Sequence, residues 1–437
     1  MIYPARLILW LCFILPLSAA AGYFTSAAVL MLLLYTVILL WAAADLFRGI
    51  KTIGNINAEL NGNIKTSVFS LTSLPFQFNN YNKKDIQLHL KIQCPDTIIP
   101  EKDLYFIKIS PDNLSECSIN ITPLDRGTFT IEKVFLEINS PGNFWKIRKK
   151  IILDKLKITV YPNLKFEKRS LAALFLHHTN GIHIHRMLGQ GREFEKLREY
   201  IHGDSMDIIS WKATAKRNKP ISKVFKIEQT QNIYAVIDVS RLSSQHLPDS
   251  KRVIDHYLSS SLILGQIAAM QKDAFGVIAF DSNVCRFIKA KTGKVNYNAC
   301  REAIFNLEPS ERIPDYRNLF SFIRTKVHKR ALLLFMIDVS NPATLEAITE
   351  NIHLISSKYL AVINTIKHKT ERPLFSEKIT EEEEIFSHFA GHLQWENIIM
   401  LKKQLMRHGI TLTSSDYNQL TSDVVTQYIN VKKRQVL

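Results

Sequence analysis

The chain has 437 residues, of which 46% are hydrophobic, and its 56 Lys and Arg against 40 Asp and Glu give a formal net charge of +16. This length and hydrophobicity are sufficient for two or three domains with cores of their own, and they exclude a broadly disordered chain. The positive charge favours an anionic neighbour, such as a membrane surface or nucleic acid. The five cysteines are scattered without a Cys-x-x-Cys pair, which argues against a disulfide framework or a thiolate zinc site and favours a reducing compartment.

Two apolar stretches near the N-terminus predict a transmembrane helical hairpin within residues 1–51. They run from Leu7 to Ala21 and from Ala27 to Leu46, and the second has the full length of a bilayer span. Basic residues, including Arg6 and Arg48, lie outside the two stretches, and the loop between the stretches is uncharged. The positive-inside rule therefore places both flanks in the cytoplasm. The alternative is a cleavable signal peptide followed by a stop-transfer span, which leaves the body of the chain on the same side.

Short alternating apolar runs, separated by clusters of Asn, Pro, Gly and Asp, predict an antiparallel β-sandwich over residues 52–163. A basic run from Lys146 to Arg169 lies near the end of this segment. We interpret it as a solvated hairpin with charged edges, and contact with an anionic membrane leaflet is the alternative. Nucleic acid is not expected as a partner, because no recognition fold or aromatic-interleaved basic groove accompanies the charge.

A polar connector is predicted over residues 164–230, and strand and helix patterns alternate over residues 231–437. Such alternation predicts a Rossmann-like α/β domain, a parallel sheet with helices on both faces, in which ligands bind beyond the carboxyl ends of the strands. The strands are predicted at 233–238, 275–281, 284–289, 331–338, 360–365 and 410–414. The helices are predicted at 251–271, 295–307, 317–327, 342–356, 393–408 and 415–431.

The first and fourth of these strands end alike: "NIYAVIDVSRL" reaches Asp238 and "LLLFMIDVSNP" reaches Asp338. This arrangement resembles the von Willebrand factor A class, in which D-x-S-x-S, a later Thr and a later Asp hold a divalent ion through oxygen atoms. Asp238 and Ser240 match the motif, whereas Leu242 stands at its third position. The segment "PDYRNLF", where the Thr is expected, carries Arg317 instead.

We therefore interpret Asp238, Ser240 and Asp338 as a degenerate metal site. The guanidinium of Arg317 could neutralise Asp238 without any ion, so no cofactor is expected. The alternative is a bound Mg²⁺, although this ion prefers near-octahedral oxygen ligation and two donors of the motif are missing.

The segment from Gly191 to Gln229, "GREFEKLREYIHGDSMDIISWKATAKRNKPISKVFKIEQ", contains a second motif. It resembles the signature of a bacterial membrane-protein family, domain of unknown function 58, approximately G-x-E-F-x-x-L-R-x-Y-x-x-G-D-x-x-R-x-I-x-W-K-x-x-A-R. Asp207 replaces the signature Arg that follows Gly-Asp. One interpretation is structural, with Trp211 buried and the neighbouring charges paired. The other is a docking surface for a partner protein. The candidate binding residues are Arg198, Asp204, Trp211, Lys212 and Arg317.

The resemblance implies a two-span membrane anchor, a β-sandwich and a von Willebrand A-like domain, often encoded beside a MoxR-type AAA+ ATPase, with no established activity. Together with the positive-inside rule, it predicts the bacterial inner membrane, with the soluble domains in the cytoplasm. We therefore expect a non-enzymatic, membrane-anchored scaffold or adaptor whose partners are the lipid bilayer and a protein, with that ATPase or its client as the candidate. The alternative is a metal-dependent enzyme that uses Asp238, Ser240 and Asp338. The chain lacks a G-x-S-x-G elbow, a Walker A loop and an H-E-x-x-H motif, so enzymatic activity is not expected.

Overall fold

The computed structural model of the chain describes residues 1–5, 28–60, 62–111, 114–152, 156–165, 188–202, 205–226, 230–367, 371, 373 and 382–434. The chain divides into two compact units, Met1–Asn163 and Leu164–Leu437. The boundaries of the four domains expected from the sequence stay a prediction.

The first unit is rich in β-structure and contains one long helix, α1 (Ala28–Gly54). Its strands are β1 (Ile2–Pro4), β2 (Ile56–Glu59), β3 (Asn63–Ser67), β4 (Thr72–Asn80), β5 (Ile86–Gln93), β6 (Ile98–Pro100), β7 (Tyr105–Ile109), β8 (Leu114–Pro123), β9 (Gly127–Thr130), β10 (Lys133–Asn139), β11 (Trp145–Ile152) and β12 (Lys157–Tyr161). They form a five-stranded sheet in the order β1-β11-β10-β5-β7, a four-stranded sheet in the order β2-β4-β8-β6 and a three-stranded sheet in the order β3-β12-β9.

Alternating burial explains how these sheets share a core. Leu74, Phe76 and Phe78 of β4 are fully buried, as are Leu88 and Leu90 of β5, and residues between them in each strand are more exposed. Successive side chains of a strand point to opposite faces, so each sheet contributes one apolar face. The two faces join in a single cluster, an arrangement that fits a β-sandwich.

The predicted transmembrane hairpin is wrong for the part of it that the structure describes. Among the described residues, no helix combines the length and the apolar character that a membrane span needs. The second predicted stretch, from Ala27 to Leu46, overlaps α1, and Asp45 near its end is bonded to the turn between β10 and β11. The buried Asp45 carboxylate accepts hydrogen bonds from the Ser140 hydroxyl and, at 2.6 Å, from the Gly142 amide. The other stretch, from Leu7 to Ala21, lies outside the described residues.

The second unit contains an antiparallel strand pair and a larger α/β sheet. Its strands are β13 (Leu188–Glu199), β14 (Ile221–Lys226), β15 (Asn232–Asp238), β16 (Ala274–Phe280), β17 (Val284–Lys291), β18 (Leu332–Met336), β19 (Leu360–Ile366) and β20 (Thr411–Ser415). Its helices are α2 (Trp211–Arg217), α3 (Val253–Met270), α4 (Lys294–Ile304), α5 (Tyr316–Lys326), α6 (Pro342–Asn351), α7 (His353–Ser356), α8 (Glu382–Arg407) and α9 (Leu420–Arg434).

The α/β sheet has six strands in the order β17-β16-β15-β18-β19-β20 and helices on both faces. Ile233, Ala235 and Ile237 of β15 pack in the cluster that includes α3, α4 and α9, whereas Tyr234 and Val236 pack in the cluster that includes α5, α6, α7 and α8. Because both faces are covered, the central strands are apolar throughout. The sequence predicted a parallel sheet in a von Willebrand A-like domain. The von Willebrand A assignment is not confirmed, and the sheet is mixed, because β17 runs antiparallel to β16.

The edge pair β16 and β17 approaches closely at Gly276. A Cβ atom there would lie 2.6 Å from the Ile288 carbonyl oxygen and 2.7 Å from the Ala290 amide nitrogen. Backbone atoms yield little, so we expect Gly276→Ala to lower the free energy of unfolding by about 1–3 kcal/mol. Chemical denaturation measures this change. Gly54→Ala, where an added Cβ meets open space, controls for the effect of the substitution on the unfolded chain. Equal midpoints for the two variants would contradict the close approach.

Candidate functional site

Three neighbouring strands of the α/β sheet end in aspartates at the same edge. Asp238 ends β15, Asp281 follows β16 directly, and Asp338 comes two residues after β18. Because β15 pairs in parallel with both other strands, their carboxyl ends meet at one edge of the sheet. The chain order of the strands reverses between β15 and β18, which is the position where open α/β sheets bind ligands.

Each of the three carboxylates closes the same local turn. Asp238 Oδ1 accepts a hydrogen bond from the Ser240 amide at 2.8 Å, and Asp338 Oδ1 accepts one from the Ser340 amide at 2.8 Å. Asp281 Oδ1 accepts one from the Asn283 amide at 2.9 Å. These Asx turns reverse the chain directly after each strand. One oxygen of each carboxylate therefore has a structural role.

Asp238 is the most deeply buried of the three, with no exposed surface. Its Oδ2 atom is buried and has no hydrogen-bond partner among the described residues. Burial raises the pKa of Asp238 from 3.8 to about 6, the Ser240 hydrogen bonds oppose this shift, and the negative charges of Asp338 and Asp281 add to it. The proton is thus held more tightly than by an exposed carboxyl group.

Two buried tyrosines lie close enough to these carboxylates for the carboxylate charges to raise the pKa of the tyrosine hydroxyls. Tyr257 of α3 and Tyr316, the first residue of α5, are at most 1% exposed. Burial raises the pKa of both hydroxyls well above 10, and the charges of Asp238 and Asp338 raise it further. Both hydroxyls therefore stay protonated at neutral pH and can donate a hydrogen bond.

The predicted metal residues fit a divalent ion poorly. The Ser240 hydroxyl accepts a hydrogen bond from the Leu242 amide at 3.3 Å and caps the short 3₁₀ turn that begins at Arg241. Within the described ranges, no three His, Cys, Asp or Glu side chains are grouped as a metal site requires. With one oxygen of Asp238 and one of Asp338 already bonded to backbone, the remaining donors fall short of an octahedral set.

Arg317 does not occupy the position expected from the sequence. Its side chain is exposed on α5, so the predicted neutralisation of Asp238 by this guanidinium is wrong. The preceding residue, Tyr316, is the one that α5 directs into the core, because the helix buries one face and exposes the other. The sequence analysis also missed Asp281, although "AFDSN" repeats the pattern of an apolar run that ends in Asp-x-Ser or Asp-x-Asn.

The signature segment forms the antiparallel pair β13 and β14 with α2 between them. Arg198 of β13 is half-buried and lies opposite Ser222 of β14, whereas Asp204 lies outside the described residues. Trp211, the first residue of α2, is 70% exposed. The structural interpretation, which predicted a buried Trp211, is therefore wrong for this residue.

Local contacts hold α2 in place without burying any of its side chains. The Ser210 amide donates to the Ile221 carbonyl oxygen at 2.8 Å, and the Ile221 amide donates to the Thr214 hydroxyl at 3.0 Å. Asn218 ends the helix in the left-handed conformation with φ of 49°. The start and the middle of α2 are thereby bonded to Ile221 of β14, and the outer face of α2 is presented to solvent.

Comparison with known families identifies this region. The family described as "Protein of unknown function DUF58" matches residues 196–374, which include α2 and the strand ends of Asp238, Asp281 and Asp338. The segment 196–374 belongs to the DUF58 family. No curated protein matches the chain. The DUF58 segment contains both candidate sites described above.

Similar solved structures cover only parts of the chain. Native alpha-2-macroglobulin of E. coli is 18% identical over 25% of this chain and 7% of its own, with a TM-score of 0.19. A PapD-like domain of human CEP192 is 12% identical over 25% of this chain and 87% of its own, with a TM-score of 0.19. Proximal thread matrix protein 1 of the mussel byssus is 12% identical over 46% of each chain, with a TM-score of 0.27. At these scores the similarities carry no argument about fold or function.

The buried carboxyl group of Asp238 makes stability depend on pH. Its pKa is raised on folding, so its contribution to stability is complete below the ordinary value of 3.8 and is lost as the pH rises through about 6. Asp238→Asn removes this titration. We expect the unfolding free energy of the wild type, relative to the variant, to fall by about 3 kcal/mol between about pH 4 and pH 8. Denaturant titrations measure it, with Asp207→Asn as the exposed control. A difference that is constant with pH would contradict the burial of this charge.

Proposed function

We propose that the protein is a non-enzymatic adaptor that binds a partner protein through the α2 surface, defined as Met206, Trp211, Lys212, Lys216 and Arg217. The observation that carries the proposal is the exposure of Trp211. A Trp side chain that is 70% exposed adds little to the stability of the fold. Trp is, however, among the residues that contribute most to the energy of protein interfaces.

The surroundings of Trp211 are suited to a protein partner. Met206, which lies just before α2, is 75% exposed and adds a flexible apolar side chain. An apolar centre with polar neighbours is the usual composition of a protein-binding patch. Because the start and the middle of α2 are bonded to β14, the surface is held in place before binding, which lowers the entropic cost of association.

The charge of the α2 surface indicates the chemistry of the partner. Lys212, Lys216 and Arg217 are all exposed, whereas the nearby Lys219 already pairs with Glu199 at 3.4 Å. Three exposed cations that form no ion pair with the described residues, beside an aromatic anchor, favour an acidic, partly apolar protein surface. The family resemblance supplies the candidate, a MoxR-type AAA+ ATPase or its client.

We expect substitution of Trp211 to weaken binding of the partner without changing the stability of the fold. Trp211→Ala removes an exposed side chain, so we expect the melting temperature to stay within about 1 °C of the wild type. The same change should weaken binding of a purified MoxR-type AAA+ ATPase from the same organism at least tenfold, as expected for a lost aromatic anchor. Differential scanning calorimetry and surface plasmon resonance measure the two effects.

Met270→Ala is the matched control, because Met270 is 76% exposed and lies at the end of α3, away from α2 in sequence. It should leave both stability and binding unchanged. The adaptor hypothesis would be contradicted by a wild-type chain that does not bind the ATPase. The choice of the α2 surface would be contradicted by equal binding of the wild type and the Trp211 variant.

The second candidate is a metal-dependent enzyme that uses Asp238, Ser240 and Asp338. The unpartnered Oδ2 atom of Asp238 favours it, since a buried carboxylate oxygen without a hydrogen bond can ligate a cation. The bonded state of the Ser240 hydroxyl and of one oxygen of each carboxylate weighs against it.

Titration with Mg²⁺ separates the two candidates. An ion that binds only the folded chain stabilises it by mass action, so a functional site should raise the melting temperature by several degrees at sub-millimolar Mg²⁺. With an incomplete donor set we expect a change of less than about 1 °C. A larger rise that Asp238→Ala abolishes would favour the enzyme over the adaptor.

A further inference from the structure

The amino edge of the α/β sheet lies opposite the edge that carries the strand-end aspartates. The five parallel strands β15, β16, β18, β19 and β20 begin at this amino edge. The antiparallel strand β17 ends there, because its last residue, Lys291, pairs with Phe275 near the start of β16. The connections that precede the parallel strands therefore meet along one side of the sheet.

These connections are rich in cations. The structure describes them at 271–273, 327–331, 357–359 and 408–410. They contain four Lys or Arg residues: Lys272, Lys329, Arg330 and Lys358. Their one carboxylate, Asp273, is 2% exposed and accepts hydrogen bonds from the Tyr428 hydroxyl at 2.6 Å and the Lys432 ammonium at 2.7 Å. The charge that these described connections present to solvent is therefore positive.

We call six exposed cations at this edge the amino-edge surface. They are Lys291, Lys294, Lys326, Lys329, Arg330 and Lys358. None of the six forms an ion pair within the described part of the chain. The Lys358 ammonium donates to the Val327 carbonyl oxygen at 3.1 Å, and the Asn232 side chain donates to the Arg330 carbonyl oxygen at 3.4 Å. The backbone around Lys329 is thereby held in place, while the side chains of Lys329 and Arg330 stay exposed.

The composition of the amino-edge surface favours an anionic lipid surface over nucleic acid. Five of its six cations are lysines, whose compact and strongly hydrated charges suit a diffuse anionic surface, whereas the planar fork of Arg suits nucleic-acid phosphates and bases. Aromatic side chains on which bases stack are typical of single-stranded nucleic-acid sites. Tyr359 of the connection before β19 is 5% exposed, and its hydroxyl donates to the Ile323 carbonyl oxygen at 3.3 Å. The four described connections therefore offer no exposed Phe, Tyr or Trp for stacking.

An exposed apolar side chain next to these cations gives a second reason. Val295, in the first turn of α4 directly after Lys294, is 85% exposed. Apolar side chains that flank cations enter the boundary between lipid headgroups and acyl chains, where their burial is favourable. From β17 to β19 the edge spans four strand spacings, about 19 Å, so its cations lie in a row. A row of this width fits a planar surface with many negative headgroups.

We propose that the amino-edge surface binds the anionic phospholipid headgroups of a membrane, with Val295 inserted at the interface. Each Lys or Arg near such a surface adds to the affinity, and clusters of about four to eight are typical of anionic-lipid binding. This contact is peripheral and needs no helix that crosses the bilayer. None of its residues belongs to the α2 surface, so this proposal and the adaptor proposal stand or fall separately.

The first test compares vesicles that differ in charge. We expect the purified full chain to float with vesicles of phosphatidylcholine that contain about 30% phosphatidylglycerol, and to bind pure phosphatidylcholine about tenfold more weakly. The triple variant Lys294→Gln, Lys329→Gln and Arg330→Gln should bind the anionic vesicles more weakly than the wild type by a factor of about twenty or more, because each cation contributes about fivefold. Raising the NaCl concentration from about 0.1 M to about 0.5 M should weaken wild-type binding, since salt screens these charges.

The matched control is the triple variant Lys83→Gln, Lys91→Gln and Lys102→Gln, which removes the same charge from exposed positions of the first unit. It should bind the anionic vesicles as the wild type does. All the replaced side chains are exposed, so both triple variants should keep melting temperatures within about 1 °C of the wild type.

The second test concerns Val295. Val295→Asp places a carboxylate at the lipid interface, so we expect about tenfold weaker binding to the anionic vesicles. Ile313→Asp is the control, because Ile313 is 73% exposed in the connection between α4 and α5. The carbonyl oxygen of the preceding residue, Arg312, accepts a hydrogen bond from the Arg241 amide just beyond β15, which places Ile313 at the opposite edge of the sheet.

Three results would each overturn the proposal: equal binding of the wild type to both kinds of vesicle, equal binding by the two triple variants, or equal binding by the two Asp variants. It would also be overturned if the triple variant of the amino-edge surface lost binding to a duplex DNA probe and kept vesicle binding. That last result would assign the surface to nucleic acid.

Discussion

The parallel pairing of β15 with β18 at the centre of the α/β sheet is the constraint on which the second unit depends. It aligns Ile233 with Leu332 and Ile237 with Met336, and it buries both strands on both faces. A parallel pair requires a long crossover, so the chain between them forms helices that cover the sheet. The same pairing fixes where the chain leaves the core, and it places Asp238 and Asp338 side by side at one edge.

At that edge the backbone must turn sharply while it is still shielded from water. An aspartate that accepts a hydrogen bond from the amide two residues later meets this need, and β15, β16 and β18 all end in this way. The cost is a buried carboxyl group at Asp238, whose raised pKa reflects the loss of hydration. The pattern that resembles an ion site in the sequence thus also ends the strands.

Two surfaces of the second unit are not needed for the core. Helix α2 buries none of its residues. The outer face of α8 exposes apolar side chains that add little to the stability of the fold. Their compositions differ: α2 is basic around an aromatic residue, whereas the exposed face of α8 is apolar.

The sequence by itself determined the family that residues 196–374 match, the alternation of strands and helices, and Asp238 and Asp338 at strand ends, because these depend on local patterns. The strand predicted at 233–238, for example, is observed as Asn232–Asp238. Only the tertiary structure decided that Trp211 is exposed, that Tyr316 rather than Arg317 lies in the core, and that Asp45 ties α1 to the turn between β10 and β11. Those outcomes depend on which face of each element meets another element, and residues distant in the chain set that choice.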